Sequence, residues 1–148
     1  TTWLTGQGIR QWNADVYPTY ETARSAWEDG HLYCIGESPV VATMILNDIE
    51  PHQYGGVSWR YPGQAMVIHT LVVNPEFTGR GLGRRMLHFT QRQAAERGYD
   101  CIRIDVFPGN PAAMKLYANF GFTYAGEIVF DFKEPGCEVY HCFEKKVL

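Results

Sequence analysis

The chain of 148 residues is 45% hydrophobic and 20% charged, the size and balance of one domain with an ordinary core, and a single domain over 1–148 is expected. Sixteen acidic against thirteen basic residues give a net charge of -3, which excludes a chain-wide positive field for nucleic acid or anionic membrane. Any anion must be gripped locally, and the longest apolar run, Val40 to Leu46, is far short of the ~20 residues that span a bilayer.

Pro18 suits a first helical turn, Tyr20, Ala23, Ala26 and Trp27 recur at helical spacing, and Gly30 supplies a stop, so a helix is predicted from about 19 to 29. The β-rich runs 31–36 and 40–49 flank Glu37-Ser38-Pro39 and predict an antiparallel hairpin. The Pro-, Gly-, Tyr- and Trp-rich stretch 50–64 reads as an irregular excursion. Ala65 to Val73, A-M-V-I-H-T-L-V-V, is apolar on both faces apart from His69 and Thr70 and suits a central strand. A turn T-G-R-G-L-G leads into a helix whose Leu82, Met86, Thr90 and Ala94 keep one face until Gly98. Cys101 to Phe107 is the next strand, parallel to the central one because a helix connects them. Asn110 caps a short helix with Pro111 at its first position. Two strands, 122–132 and 138–147, joined at Lys133-Glu134-Pro135-Gly136, end the chain. The sum is an α+β fold: a mixed, mostly antiparallel sheet with one parallel β-α-β crossover.

Gly79, Gly81 and Gly83 sit where a buried strand turns into a helix, which aims unpaired backbone N–H groups at one point. Arg80, Arg84 and Arg85 add positive charge there, the surroundings a phosphate needs. A tight turn with a solvated arginine face explains the same residues equally well. No lysine follows any glycine, so a Walker loop is excluded. The dinucleotide fingerprint G-x-G-x-x-G meets Arg84 or Met86 at its third glycine and fails in both registers.

L-V-V-N-P-E-F-T-G-R-G-L-G-R-R-M-L resembles motif A of the GNAT N-acetyltransferase superfamily, [QR]-x-x-G-x-[GA], with Thr78 in place of the usual Gln or Arg and Gly81 and Gly83 matching. N-P-A-A-M-K-L-Y-A-N-F-G-F resembles motif B, N-x-x-A-x-x-[LF]-Y followed by G-F. Two motifs in the family's order resemble a small, bacterial-type member from about His31 onward, with helices on both sheet faces. The opening differs: the family's first strand and most of its first helix look truncated.

The resemblance implies transfer of an acetyl group from acetyl-CoA to a primary amine of a small molecule, peptide or protein, by direct attack in a ternary complex. It implies that acetyl-CoA meets Leu71, Val72, Val73, Thr78, Gly79, Arg80, Gly81, Leu82, Gly83, Arg84, Asn110 and Tyr117. It places the Tyr117 hydroxyl beside the CoA sulfur as the acid for the departing thiolate. Unperturbed values of ~10 for Tyr and ~8.5 for a thiol make that transfer uphill by about 2 kcal/mol. Tyr117 also reads as an aromatic packed on Phe120 and Phe122. His69 matches a histidine that serotonin N-acetyltransferase-like members use as a base through water, and it also reads as a core residue. Val67 stands where other members carry a glutamate. The family splays its central strand at a bulge, here near Leu71 to Val73, and uses those N–H groups for the oxyanion and the pantetheine. Asn110 is explained by helix capping alone, and Lys115 by solvation on a helix.

His141 and Cys142 alternate to opposite strand faces and cannot easily share one ion with Cys137, so no metal is expected. The absence of a G-x-S-x-G elbow argues against a serine hydrolase. The four cysteines, Cys34, Cys101, Cys137 and Cys142, are spread in or beside predicted strands, unlike those of a small secreted scaffold, and read as reduced thiols. The first residues carry no export signal, and a cytoplasmic location is expected. The chain does not begin with methionine, which points to an upstream stretch removed. Trp12, Tyr17, Tyr20, Trp27, Tyr54 and Trp59 are candidates for an aromatic acceptor wall, and equally for the core. A sheet edge left by a missing first strand favours a homodimer. The reading from another class is a non-catalytic acyl-CoA-binding module.

Overall fold

The structure, a computed structural model, describes residues 18–147. In chain order the elements are α1 (Tyr20–Glu28), β1 (Leu32–Ile35), β2 (Ala42–Asn47), a 3-10 turn (His52–Gly56), β3 (Ala65–Val73), a second 3-10 turn (Pro75–Phe77), α2 (Leu82–Glu96), β4 (Cys101–Val106), α3 (Pro111–Phe120), β5 (Thr123–Val129) and β6 (Val139–Lys146). The strands form one six-stranded sheet in the order β1-β2-β3-β4-β6-β5. Among the described residues only β3 and β4 run parallel, and α2 is the crossover between them. The α+β mixed sheet expected from the sequence is the one that forms. The question of a truncated first strand lies outside the described residues.

Alternation along β3 decides the layers. Met66 and Ile68 face α2 and α3, where Leu82, Met86, Leu87, Ile102, Ile104 and Phe143 complete the larger core. Val67 points the other way, into a smaller cluster with Tyr54, Ile128, Phe130, Tyr140 and Cys142. Both faces of β3 are thus buried. The hairpin turn after β1 needs its glycine: Gly36 has φ of +84°, and a Cβ there would lie 2.5 Å from the Pro39 carbonyl oxygen.

Two expectations change. In α1 the capping box between Thr19 and Thr22 holds the first turn, but of the predicted apolar stripe only Ala26 is buried. Tyr20 and Trp27 are 79% and 69% exposed. A short helix fixed by its cap and by the Arg24–Glu28 pair at 3.0 Å does not need that stripe to form. The predicted strand 122–132 ends at Val129, because Phe130 to Lys133 turn back on themselves, with the Lys133 N–H donating to the Phe130 carbonyl at 3.2 Å.

The irregular segment 50–64 is fastened to the sheet by two neighbouring strand residues of opposite charge. Arg103 on β4, 7% exposed, donates to Glu50 at 2.7 Å and to the Tyr61 carbonyl at 3.0 Å, with its guanidinium 4.5 Å from the Trp59 ring centre. Its cross-strand partner on β6, Glu144, is 2% exposed and accepts the backbone N–H groups of Arg60 at 2.8 Å and Tyr61 at 3.2 Å. Replacing Glu144 by Ala removes the acceptor of two backbone N–H groups and leaves a buried cation without its neighbouring carboxylate, and a loss of about 3 kcal/mol is expected from urea unfolding at pH 7. Glu144→Gln, which keeps one acceptor, should lose roughly half as much. A loss under about 1 kcal/mol for Glu144→Ala would show that the segment is held elsewhere.

Candidate active site

Parallel pairing of β3 with β4 stops at Ile68 opposite Ile104. Just beyond, Thr70 has φ of +46°, the left-handed region that a β-branched residue enters at a cost of about 1–3 kcal/mol. Across β2, Thr43 faces Val72 and Ile45 faces His69, so Thr70 and Leu71 together oppose Met44. This is a bulge. It lies at Thr70–Leu71, slightly earlier than the expected Leu71 to Val73. It turns the end of β3 away from β4 while Val73 stays paired with Ala42 on β2.

The divergence opens a cavity of about 720 Å³. Leu71, Val72, Val73, Thr78, Gly79, Gly81, Leu82, Gly83, Arg84, Asn110 and Tyr117 all line it. Arg80 does not: its guanidinium lies 5.0 Å from the Phe77 ring centre, outside the wall. Gly79 and Gly81 have φ of +77° and +70°, and Gly81 caps α2. The first-turn N–H groups of α2, which have no partner within the helix, therefore start at the cavity wall. Gly83 has a further reason to be glycine: a Cβ there would lie 2.9 Å from Leu116 Cδ2, so α2 and α3 approach closely at this point. The Thr78 hydroxyl is turned back to donate to the Pro75 carbonyl at 3.0 Å. The Asn110 side chain caps α3 by accepting the Ala113 N–H at 3.2 Å. Lys115 is exposed and outside the wall.

Tyr117 is 4% exposed, edge-on to Phe122 with ring centres 5.7 Å apart. Burial, and secondarily the charge of Asp105, pushes its phenol above the ordinary tyrosine value. Transfer of its proton to a thiolate is thus further uphill than unperturbed values imply.

His69 also lines the cavity. Its Nε2 is 2.9 Å from Asn47 Oδ1, and that oxygen also accepts the Ile49 N–H at 3.0 Å, so Nε2 is the donor. Burial lowers the His69 pKa, partly offset by the Ile49 backbone, with His31 lowering it further, so the ring is neutral near pH 7.

Sequence reasoning missed Asp105. It is mostly buried on β4, lines the same cavity, and accepts a hydrogen bond from the Tyr54 hydroxyl at 2.7 Å. Burial raises its pKa, against the opposing pull of Tyr54 and Lys133. A lone acid in the apolar strand C-I-R-I-D-V was the available signal. Its partner, 51 residues away, was not visible.

Of the aromatics offered equally for an acceptor wall or for the core, none of the described ones lines the cavity. Tyr54 and Trp59 are packed beneath the cavity, 5.1 Å apart, and not on its surface. Tyr20 and Trp27 are exposed and outside it, and Trp12 and Tyr17 lie outside the described residues. The aromatics Phe130, Phe132 and Tyr140, from the β5–β6 end, do line it. Strand propensity over 122–132 and turn residues at 133–136 give no sign that this segment reaches the cavity.

Among the described residues no group of His, Cys, Asp and Glu is arranged to hold a metal ion, and no helix is long and apolar enough to cross a membrane. The four cysteines are free thiols, and burial, with Asp105 nearby, pushes Cys142 up to about 12.

The family model described as "Acetyltransferase (GNAT) family" matches residues 2–122. The chain is similar to the "Uncharacterized N-acetyltransferase YesJ" of Bacillus subtilis, 23% identical over 152 residues that cover 98% of this chain and 78% of that protein. A shorter stretch of 61 residues is 38% identical to the spermine/spermidine N(1)-acetyltransferase of Bacillus subtilis and covers 40% of each chain. Among solved structures, a GNAT-family acetyltransferase from Streptococcus agalactiae superposes with a TM-score of 0.78 at 19% identity, covering 98% of this chain and 82% of the other.

The Tyr54–Asp105 pair makes a directional prediction. The Tyr54 hydroxyl stabilises the ionised carboxyl, so Tyr54→Phe should raise the Asp105 pKa further. Carbon-13 NMR titration of the Asp105 carboxyl should give a higher midpoint in the variant. An unchanged or lower midpoint would show that Tyr54 does not act on the charged form.

Proposed function

The chain belongs to the acetyltransferase (GNAT) family, and from that premise we propose that it transfers the acetyl group of acetyl-CoA to a primary amine by direct attack in a ternary complex. One observation carries the reading: the glycine turn, the opened edge of β3 and Tyr117 all line one cavity with a buried carboxylate beside them. The first-turn N–H groups of α2, with Arg84 at the wall, suit the pyrophosphate. Beyond Ile68 the edge of β3 that β4 leaves is the edge along which a pantetheine arm would lie as an added strand. An N–H of the same edge would meet the oxyanion of the tetrahedral intermediate.

In this mechanism the neutral amine attacks the thioester carbonyl, a C–N bond forms, the C–S bond breaks, and the amine's proton leaves through Asp105. Three features support Asp105. It is mostly buried, it is oriented by Tyr54, and burial raises its pKa above the ordinary carboxylate value. His69 is the competing base, and its engagement with Asn47 turns Nε2 away from that role. Tyr117 gives a hydrogen bond to the departing sulfur. Its raised pKa suits it to sharing the proton and disfavours releasing it.

Tyr117→Phe should lower kcat roughly 10²-fold, and an unchanged kcat would remove Tyr117 from the chemistry. A carboxylate base fails as pH falls through its pKa, and burial places that acid limb above the ordinary carboxylate range. Asp105→Asn should abolish the limb in kcat/KM, whereas His69→Gln should retain it. The reverse pattern would make His69 the base. Calorimetry with acetyl-CoA, CoA and NAD separates this reading from a nucleotide binder: only the first two should bind. A chain that binds acetyl-CoA but acetylates no amine would be an acyl-CoA-binding module.

A further inference from the structure

We infer that the acceptor is a monoamine bearing a carboxylate at its far end, an amino-acid-like molecule, and that Lys133 is the residue that selects it over a polyamine. The inference deepens the acetyltransferase reading and rests on it.

The part of the cavity formed by the β5–β6 end combines two fixed charges of opposite sign on an aromatic floor. Asp105 is the buried carboxylate, held by Tyr54 at 2.7 Å. Lys133, half-buried on the turn that follows β5, is the ammonium, and its Nζ lies 5.2 Å from the Tyr140 ring centre and 5.4 Å from that of Phe132. All four residues line the cavity. Of the chain's lysines, Lys115, Lys145 and Lys146 do not.

Aromatic faces beside a cavity are where the second ammonium of a polyamine gains most, because the ring quadrupole attracts a cation. Here the protein's own ammonium lies over both rings, and a second cation seated there meets a like charge. An anionic group gains at the same place. Burial lowers the Lys133 pKa while the nearby Asp105 raises it, and a carboxylate arriving there favours the charged form further, in surroundings with little competing water. Asp131 also lines the cavity, but it is exposed, where solvent and salt screen its attraction for a polycation. Glu134 is outside the wall. The acceptor's amine end would then face Asp105 and the thioester, its body the Phe130–Tyr140 edge-to-face pair at 5.1 Å, and its carboxylate Lys133.

The test compares kcat/KM for 4-(aminomethyl)benzoate, benzylamine and spermidine with acetyl-CoA, reading thiol release. The first two differ only in the carboxylate. At least a tenfold preference for the carboxylate-bearing amine over both others is expected. Lys133→Met should collapse that preference, and Lys133→Arg should keep most of it, which guards against a variant that merely misfolds. Equal or better turnover of spermidine or benzylamine, or a preference that survives Lys133→Met, overturns the inference. If no amine is acetylated although calorimetry shows acetyl-CoA bound, the inference falls and the cofactor half of the reading stands. If acetyl-CoA does not bind, both fall together.

Discussion

If β3 went on pairing with β4 beyond Ile68 and Ile104, both of its edges would be spent on ladders and no strand edge would face a ligand. The bulge at Thr70–Leu71 prevents this. It places a β-branched residue at φ of +46°, a strained conformation that persists because the sheet fixes the strand on both sides of it. Val73 remains locked to Ala42, and Met66 and Ile68 stay in the larger core. The strain is local to Thr70, and the opening at the bulge brings the glycine turn, α3 and the β5–β6 end around one space.

Charge is distributed to match that space. The chain is acidic overall, yet the start of α2 concentrates unpartnered N–H groups with Arg84 at one end of the cavity. At the other end burial tunes the side chains: Asp105 and Tyr117 are pushed up, and His69 and Lys133 are pushed down. Each shift moves a group away from its charged form. That is the expected effect of removing water from a site before any ligand arrives.

The elements of the fold were legible because each has a local cause. Gly98 and Gly121 end helices, Asn110 begins one, and the β-branched run 65–73 makes the central strand. The glycine turn and the Asn110–Tyr117 helix were equally legible as motifs. What could not be read was anything that depends on distance in the chain. Arg103 and Glu144 alternate as if facing solvent, and only the return of residues 50–61 over the sheet buries them. Asp105 acquires its meaning from Tyr54, and the end of the cavity beyond β5 takes its shape from a turn that propensity reads as strand. The stripe on α1 misled for the complementary reason: periodicity records which face is apolar, and an element must lie opposite before that face is covered.

The fastening of residues 50–61 has one more consequence. The segment is held by Glu50 at its start, by the N–H groups of Arg60 and Tyr61 at its end, and by Tyr54 and Trp59 beneath. Pro51, His52 and Gln53 are the residues of this segment that reach the cavity, and none of them is part of the fastening. Such a segment is an exchangeable cassette. Its cavity-facing tip can be rewritten by substitution or by a change of length while both anchor points, and the strain-opened sheet beneath them, stay as they are, so one wall of the cavity can change without disturbing the glycine turn opposite.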